Sequence, residues 1–335
     1  MPLPRISAAP PAPGPWTGFT QPPAAPPLPQ RARRRRRSLR GLGIGFAALV
    51  IAAGIGFAPA IPSANGAGAA WTSFLPWTVL LLVLLGAAAV IRRAWWGLSA
   101  VIVAALVWSA VFVPQMLPAT VPGGSTQLTV ATANIGAANT DPLSSAQALV
   151  ATGAGIVAVQ EIVGSDATAF LDAQYGYNTR VSTVGLWSQW PMSEPESFEL
   201  GMGWARSFRV VVHHPQGDIA VYAVHLPSVR PGYTDPRDEA VTELAALVAA
   251  DPAEKVLVMG DLNTATTDPA LSALTGELTD SREAVKGGFG FTWPATFPLT
   301  RPDHVLGRGV TPVFDEVLAA GGSDHRAVLV GLNLQ

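Results

Sequence analysis

Six apolar segments in the C-terminal two thirds of this 335-residue chain are each flanked by a side chain that could do chemistry. The carboxylates, amides and imidazoles concerned are Asn134, Glu161, His225, Asp261, Asn263, Asp303, Asp324 and His325. Side chains of these types bind metal ions and transfer protons. If the segments are neighbouring strands, their ends converge in one polar pocket above a packed sheet, where active sites commonly lie.

Each of these residues also has a purely structural interpretation. Asn134 could cap a turn, Glu161 could start a helix, and Asp261 with Asn263 could form an Asx turn. Asp324 could cap a loop, and none of the residues is informative alone. The combination along one chain is what indicates an active site.

The elements that must position these side chains follow from hydrophobic periodicity and turn residues. Predicted strands cover 127–133, 156–160, 209–213, 219–224, 255–259 and 326–332, and predicted helices cover 143–151 and 236–250. Pro215-Gln216-Gly217-Asp218 predicts a hairpin turn. The pattern is typical of a mixed α/β domain, beginning at residue 127, in which antiparallel sheets are covered by helices.

The first third of the chain has a different character. Residues 1–40 are rich in proline and arginine and predict a disordered cytoplasmic tail. Residues 41–113 are almost entirely apolar and predict three transmembrane helices, at 41–61, 74–91 and 94–113, because about 20 apolar residues cross a bilayer. Residues 114–126 predict a Pro/Gly linker, short enough to keep the following domain near the lipid surface.

Arginine placement predicts the orientation of this anchor. The Arg-rich tail and the Arg92–Arg93 turn belong inside by the positive-inside rule. Three spans then place the C-terminal domain outside, as a multi-pass protein of the cell membrane. Reading the first span as a cleaved signal peptide is an alternative, and it leaves the same domain outside.

Charge and cysteine content exclude several classes of function. Eleven basic and 23 acidic residues follow Arg93, which gives this part a net charge of −12. Such a domain has no general attraction for a phosphate backbone, so a dedicated nucleic-acid binder is disfavoured. The chain has no cysteine, which excludes disulfides, cysteine zinc sites and thiol nucleophiles.

The order of the motifs resembles the endonuclease/exonuclease/phosphatase family, which includes DNase-I-like nucleases, neutral sphingomyelinases and inositol polyphosphate phosphatases. The motifs are Thr132-Ala133-Asn134-Ile135, Val159-Gln160-Glu161, Val224-His225-Leu226, Gly260-Asp261-Leu262-Asn263-Thr264, Pro302-Asp303-His304-Val305-Leu306 and Ser323-Asp324-His325. The resemblance covers residues 127–335. It implies a four-layer α/β/β/α sandwich, here preceded by the three transmembrane helices, and a metal-dependent phosphoric ester hydrolase.

The resemblance also implies a metal site. Glu161 would bind Mg²⁺, with Mn²⁺ as the alternative ion, and Asn134 and Asp324 would assist. Hard oxygen ligands suit Mg²⁺, which keeps several waters and contacts substrate phosphate.

Catalytic roles are implied in the same way. Asp261 would orient and activate the attacking water. Asn263 and His225 would hydrogen-bond the phosphate oxygens. His325 would stabilise the pentavalent charge or protonate the leaving oxygen, while Asp303 holds its tautomer.

Two positions depart from the pattern of the nuclease members. Gly136 stands where some members carry an acidic residue that assists the metal. Gln189 stands where many members carry an arginine, which removes a possible phosphate contact. The departures leave open the number of metal ions and the choice between monoester and diester substrates.

Three spans before such a domain resemble the VanJ-type membrane proteins of actinomycetes, which are linked to teicoplanin resistance. The resemblance predicts an extracytoplasmic Mg²⁺-dependent phosphoesterase that acts on a lipid-linked polyprenyl phosphate or diphosphate, in cell-wall metabolism or glycopeptide resistance. Its partners would be membrane lipids and this substrate. An anchored nuclease, a phospholipid phosphodiesterase and a non-enzymatic binding protein on the same fold are the alternatives, and the oligomeric state is open.

Overall fold

Two six-stranded β-sheets form the centre of the C-terminal part in this computed structural model, which describes residues 41–63, 66–119, 124–230, 232 and 235–334. The first sheet has the order β11-β12-β1-β2-β4-β3, with β1 Leu128–Asn134, β2 Ile156–Gln160, β3 Tyr177–Val181, β4 Val184–Ser188, β11 Thr311–Leu318 and β12 Ala327–Asn333. The second has the order β5-β6-β7-β8-β10-β9, with β5 Glu196–Phe198, β6 Ser207–His214, β7 Gly217–His225, β8 Val256–Asp261, β9 Thr279–Asp280 and β10 Asp303–Arg308.

Both sheets are mixed, and not purely antiparallel as the sequence predicted. β1 pairs with β2 in parallel, and β7 pairs with β8 in parallel. Helix α5 (Pro142–Ala151) connects the first pair, and helix α7 (Asp235–Ala250) connects the second. Parallel neighbouring strands require such a crossover connection. The sequence predicted both helices but not the parallel pairing of the strands that they connect.

The hydrophobic core has three layers, which confirms the four-layer sandwich. Apolar residues of both sheets pack face to face in the middle, Val130, Ile156, Val221 and Leu257 among them. The outer face of the first sheet packs against α5 and α6 (Ser165–Gln174). The outer face of the second packs against α7 and the short helix α8 (Ser272–Thr275), and α9 (Ser281–Val285) lies near its edge.

Four helices form the N-terminal part of the described chain: α1 Leu42–Gly56, α2 Ala67–Ser73, α3 Thr78–Ile91 and α4 Trp95–Met116. By length and composition one described helix, α4, could cross a membrane. The pair α2 and Leu75–Ile91 would be a second span if its 61° bend is disregarded. The prediction of three full-length transmembrane helices is therefore not met.

Prolines explain the shorter helices. The 15 residues of α1 measure about 22 Å, less than a bilayer core of about 30 Å. Pro59 follows in a 3₁₀ turn, and Pro76 lies in another between α2 and α3. Proline lacks the N–H that an α-helix needs, so both turns end the helical run. In contrast, α4 runs through Pro114 to Met116, beyond the predicted end at residue 113.

The helices are apolar on nearly all sides. Large exposed apolar side chains include Phe46, Leu49, Leu80, Leu84, Ile102 and Leu106. A helix that is apolar all round belongs in a protein core or a membrane. The predicted tail at 1–40 and residues 120–123 of the predicted linker lie outside the described residues.

One contact between the helices and the C-terminal part is made by the segment 286–300, which we call the docking loop. The Trp77 indole donates to the Leu299 carbonyl at 2.8 Å, and its ring lies 5.9 Å from those of Phe291 and Phe297. At the end of α4, the Gln115 carbonyl accepts from Gly288 N–H at 2.9 Å. The helices and the sandwich therefore belong to one compact unit.

Candidate active site

Strand pairing brings three of the predicted catalytic residues together at one edge of the second sheet. His225 is in register with Asp261 on the parallel strand β8, and Asp303 is in register with Asp261 on the antiparallel strand β10. All three are buried. Gly260 has φ +145°, and a Cβ there would lie 2.0 Å from the Val224 carbonyl oxygen. Only glycine therefore allows β7 and β8 to approach so closely at this point.

Asn134, at the end of β1 in the first sheet, connects the two sheets. Its amide Nδ2 donates to Glu161 Oε1 at 3.1 Å and to Asp261 Oδ2 at 3.0 Å. Its Oδ1 accepts from Gly136 N–H at 3.0 Å. Asn134 thus presents its nitrogen to the carboxylates and holds them side by side. Its predicted role as a metal ligand remains a prediction.

Glu161 follows β2 in a left-handed backbone conformation, with φ +55°. Its Oε2 accepts from Ala137 N–H at 2.8 Å. Burial alone would raise the pKa of Glu161, but the hydrogen bonds from Ala137 and Asn134 outweigh it and lower the pKa below its ordinary value. The side chain is therefore an anion near neutral pH, as a metal ligand must be.

His325 and Asp303 form a hydrogen-bonded pair beside Asp261. His325 Nδ1 lies 2.9 Å from Asp303 Oδ2, which also accepts from the Thr292 hydroxyl at 2.6 Å. Ligand atoms of Asp261, Asp303 and His325 all lie within 4.8 Å of one another. By distance this buried cluster could also hold a cation. The Nδ1 contact with Asp303 leaves His325 Nε2 as the nitrogen available for a reacting group.

The pKa values of Asp261 and His325 are shifted so that one side chain can act as a base and the other as an acid. Burial raises the pKa of Asp261 to about 6, and the negative charge of Asp303 adds to the rise. Burial by itself would lower the pKa of His325, but the Asp303 carboxylate and its hydrogen bond raise it to about 10. Near neutral pH, Asp261 can therefore accept a proton and His325 can donate one.

His225 is the least satisfied polar side chain at the site. Neither ring nitrogen has a hydrogen-bond partner among the described residues, although the side chain is buried. Nε2 lies 3.5 Å from Glu161 Oε1 and 3.7 Å from Asp261 Oδ2. Burial, together with the positive charge of Arg206, lowers the pKa of His225 to about 3. A neutral imidazole with an unused N–H is suited to a ligand oxygen at this position.

Asn263 also has a left-handed backbone, with φ +47°. Its backbone N–H donates to Asp261 Oδ1 at 2.8 Å, and its side-chain Nδ2 donates to the Leu226 carbonyl at 3.0 Å. The contact with Asp261 is the predicted Asx turn, so the structural interpretation holds as well. Its role as a phosphate ligand stays a prediction.

Most of these groups line one cavity of about 480 Å³. Its polar lining consists mainly of Asn134, Glu161, Asp261, Asn263, Asp324 and His325. Asp324 Oδ2 lies 3.4 Å from the Trp293 indole nitrogen. A Cβ at Gly136, where φ is +76°, would lie 3.2 Å from Asp324 Oδ1, so an acidic side chain at 136 would require Asp324 to shift and the backbone to tolerate a left-handed conformation. Asp303 and His225 do not line the cavity themselves, although His225 Nε2 lies within 3.7 Å of the lining carboxylates of Glu161 and Asp261.

Several contributors escaped sequence reasoning. The Thr292 hydroxyl donates to Asp303 and orients it. The positive charge of Arg206 interacts with the carboxylates of Asp261 and Glu161, and its guanidinium donates to the Leu226 carbonyl at 2.7 Å. Neither residue belongs to a motif that could have revealed it. His304, which directly follows Asp303, is fully buried between Asp280 and the Thr264 carbonyl.

Two mixed sheets that face each other, with helices on their outer sides, define an α/β sandwich. The cavity at the common edge of the sheets, lined by carboxylates and an imidazole, is typical of a phosphoesterase. The profile of the Endonuclease/Exonuclease/phosphatase family matches residues 131–325, and the chain belongs to this family. Its members are generally hydrolases of phosphoesters and typically depend on divalent metal ions. The predicted family is thereby confirmed.

Solved structures support the same fold. An endonuclease/exonuclease/phosphatase from Beutenbergia cavernae DSM 12333 matches with a TM-score of 0.51 and 22% identity, over 62% of this chain and 71% of that one. A humanized D. rerio TDP2 matches with a TM-score of 0.52 and 18% identity, over 62% and 100%. D. rerio TDP2 complexed with a single-strand DNA product gives 0.51 and 17%, over 62% and 98%. No curated protein matches the chain.

Proposed function

We propose that the protein is a membrane-anchored, metal-dependent phosphoesterase. The observation that carries the proposal is the arrangement around Asp261. Asn134 holds this carboxylate beside Glu161, and His325 lies next to it in the same cavity, paired with the buried Asp303. The set combines an anionic ligand, a base and an acid.

The donor set fits a divalent cation. Glu161 and Asp324 offer carboxylate oxygens at the cavity surface, which are the ligands that Mg²⁺ and Mn²⁺ prefer. We assign the ion to these two residues, with Asn134 keeping Glu161 in place. When bound, the ion neutralises charge on the phosphoryl oxygens.

The chain's own residues carry the proton transfers. Asp261 takes a proton from water as the water oxygen forms its bond to phosphorus. His325 gives its proton to the leaving oxygen as the bond between that oxygen and phosphorus breaks. His225 donates its N–H to a phosphoryl oxygen, and Asp303 keeps Nδ1 of His325 protonated.

The helices supply the anchor and its orientation. Their apolar surfaces are exposed on all sides, and α4 is about 33 Å long. Arg92 and Arg93 precede α4, whereas the docking loop contacts its far end at Gln115. The positive-inside rule then favours an extracytoplasmic catalytic part.

We infer a lipid-linked polyprenyl phosphate or diphosphate as substrate, and a VanJ-type role in cell-wall metabolism or glycopeptide resistance. The site lies in the same compact unit as the helices, which supports a substrate held in the bilayer. The test is Mg²⁺-dependent phosphate release from undecaprenyl diphosphate by the full-length protein in detergent. Release that disappears in His325→Ala is expected, whereas equal release by that variant contradicts the assigned chemistry.

A nuclease is the second candidate, because D. rerio TDP2, which shares the fold, was solved with a single-strand DNA product. The charge of −12 after Arg93 opposes it. Incubation with plasmid and single-stranded DNA in Mg²⁺ separates the two candidates. Cleavage that is faster than release from the lipid diphosphate would favour the nuclease.

A further inference from the structure

One wall of the active-site cavity comes from the N-terminal helical part and not from the sandwich. Ala70, Ser73 and Phe74, at the end of α2, line the same cavity as Glu161 and Asp261. No catalytic group of the site comes from this segment. Its contribution must therefore concern what else the cavity holds besides the phosphate.

The chemistry of this wall is apolar. The Phe74 side chain is 39% exposed, and Trp293 and Val229, which line the cavity from the sandwich, are 38% and 37% exposed. Partly exposed large apolar groups around a cavity mark a place where an apolar ligand gains burial.

Exposed apolar side chains follow this wall along the chain. Phe74 is followed by the 3₁₀ turn Leu75–Trp77 and then by α3, whose Leu80 and Leu81 are exposed. The Trp77 ring lies 5.9 Å from the ring of Phe297, which is 64% exposed. Aromatic side chains at this position are typical of the interface between bilayer and water.

We propose that Phe74, Val229 and Trp293 form a hydrocarbon subsite that binds the substrate's apolar chain while its phosphate contacts the polar floor. The inference rests on the proposed function and makes the helical part a determinant of specificity. The enzyme then recognises an amphiphile by its tail as well as its phosphate.

Non-hydrolysable alkylphosphonates test this subsite without turnover. Their binding to the full-length protein in detergent with Mg²⁺ is measured by calorimetry for tails of six to twelve carbons. In the wild type, affinity should rise at least about tenfold from hexyl to dodecyl, since each buried methylene adds to the transfer free energy. Phe74→Ser and Val229→Ser should reduce this rise to about threefold or less.

Phe57→Ser is the matched control. Phe57 also follows a helix, with φ −104° and ψ 14° against −106° and 11° for Phe74, and also precedes a proline-containing 3₁₀ turn. It is 70% exposed and does not line this cavity. The control should keep the full dependence on tail length. If longer tails partition into the detergent, that effect is the same for Phe57→Ser and for Phe74→Ser.

The outcomes separate the two proposals. Hexylphosphonate binding without dependence on tail length, or equal slopes in Phe74→Ser and Phe57→Ser, would overturn the subsite and leave the phosphoesterase assignment standing. Failure of every alkylphosphonate to bind would overturn both. Val229→Ser keeps the test decisive if Phe74→Ser does not fold, because Val229 belongs to the sandwich.

Discussion

Replacing Asp303 by asparagine should change the protonation of two catalytic groups at once. The Asp303 carboxylate raises the pKa of His325 by its charge and hydrogen bond, and it adds to the rise that burial causes at Asp261. Asparagine keeps the size of the side chain and removes the charge. Both pKa values should therefore fall, and the fall should be larger for His325.

The size of the effect follows from the structure. Without Asp303, burial acts unopposed on His325, and its pKa should drop from about 10 to the ordinary value near 6.5 or below. At pH 8 the charged imidazole then amounts to about 3% of the molecules, where the wild type is almost fully charged. If His325 donates the proton, the variant's turnover at pH 8 should be about 30-fold below its own optimum.

Histidine titration by NMR provides the assay. The chain has five histidines, so selective labelling gives five ring signals. In wild-type protein treated with chelator, the His325 signal should titrate last, near pH 10, while His225 stays neutral down to about pH 3. Asp251→Asn is the control, because it removes a buried carboxylate paired with Arg209 on the same sheet.

The reasoning would be refuted if Asp303→Asn left the His325 midpoint within one pH unit of the wild type. It would also be refuted if Asp251→Asn moved that midpoint equally, because the shift would then report general loosening of the fold. A shifted midpoint with an unchanged pH–rate profile would remove only the role of His325 as proton donor.

Three further predictions concern the metal site, the phosphate contact and the anchor. Asn134→Ala should raise the Mg²⁺ concentration needed for half-maximal activity at least about tenfold, since two carboxylates lose their common donor; an unchanged Mg²⁺ titration contradicts this. His225→Ala should lower kcat/KM by at least about tenfold with little change in Tm, because neither ring nitrogen has a described partner; a large loss of Tm would assign it a structural role. Arg92→Glu combined with Arg93→Glu should increase the fraction of a C-terminal reporter that is active in the cytoplasm, and equal fractions would argue against the proposed orientation.

The positions of the catalytic strands could be predicted because they depend on local pattern. Ile156–Gln160 and Val256–Asp261 are short apolar runs bounded by turns, and each leads to a carboxylate. Strands with such sequences are buried in a sheet, and their ends meet at one edge. The sequence therefore predicted which side chains converge, although it did not reveal that each sheet contains a parallel pair.

Contacts between distant segments could not be predicted. The amide of Asn134 could have presented either its oxygen or its nitrogen, and only the positions of Glu161 and Asp261 determine which. Thr292 reaches Asp303 from a loop without periodicity. The lengths of the N-terminal helices were also overestimated, because hydropathy counts apolar residues without regard to the turns at Pro59 and Pro76.

The docking loop connects the N-terminal helices to the candidate active site. Its aromatic residues pack on the helices, with Phe289 6.0 Å from Phe112 of α4 and Phe291 5.9 Å from Trp77. Thr292 lies between these contacts and Leu299. Its hydroxyl donates to the Asp303 carboxylate, which is hydrogen-bonded to His325. A displacement of the helices would move this hydroxyl, because the loop is attached to them on both sides of it. The helices are therefore attached to the loop that positions Asp303 next to His325.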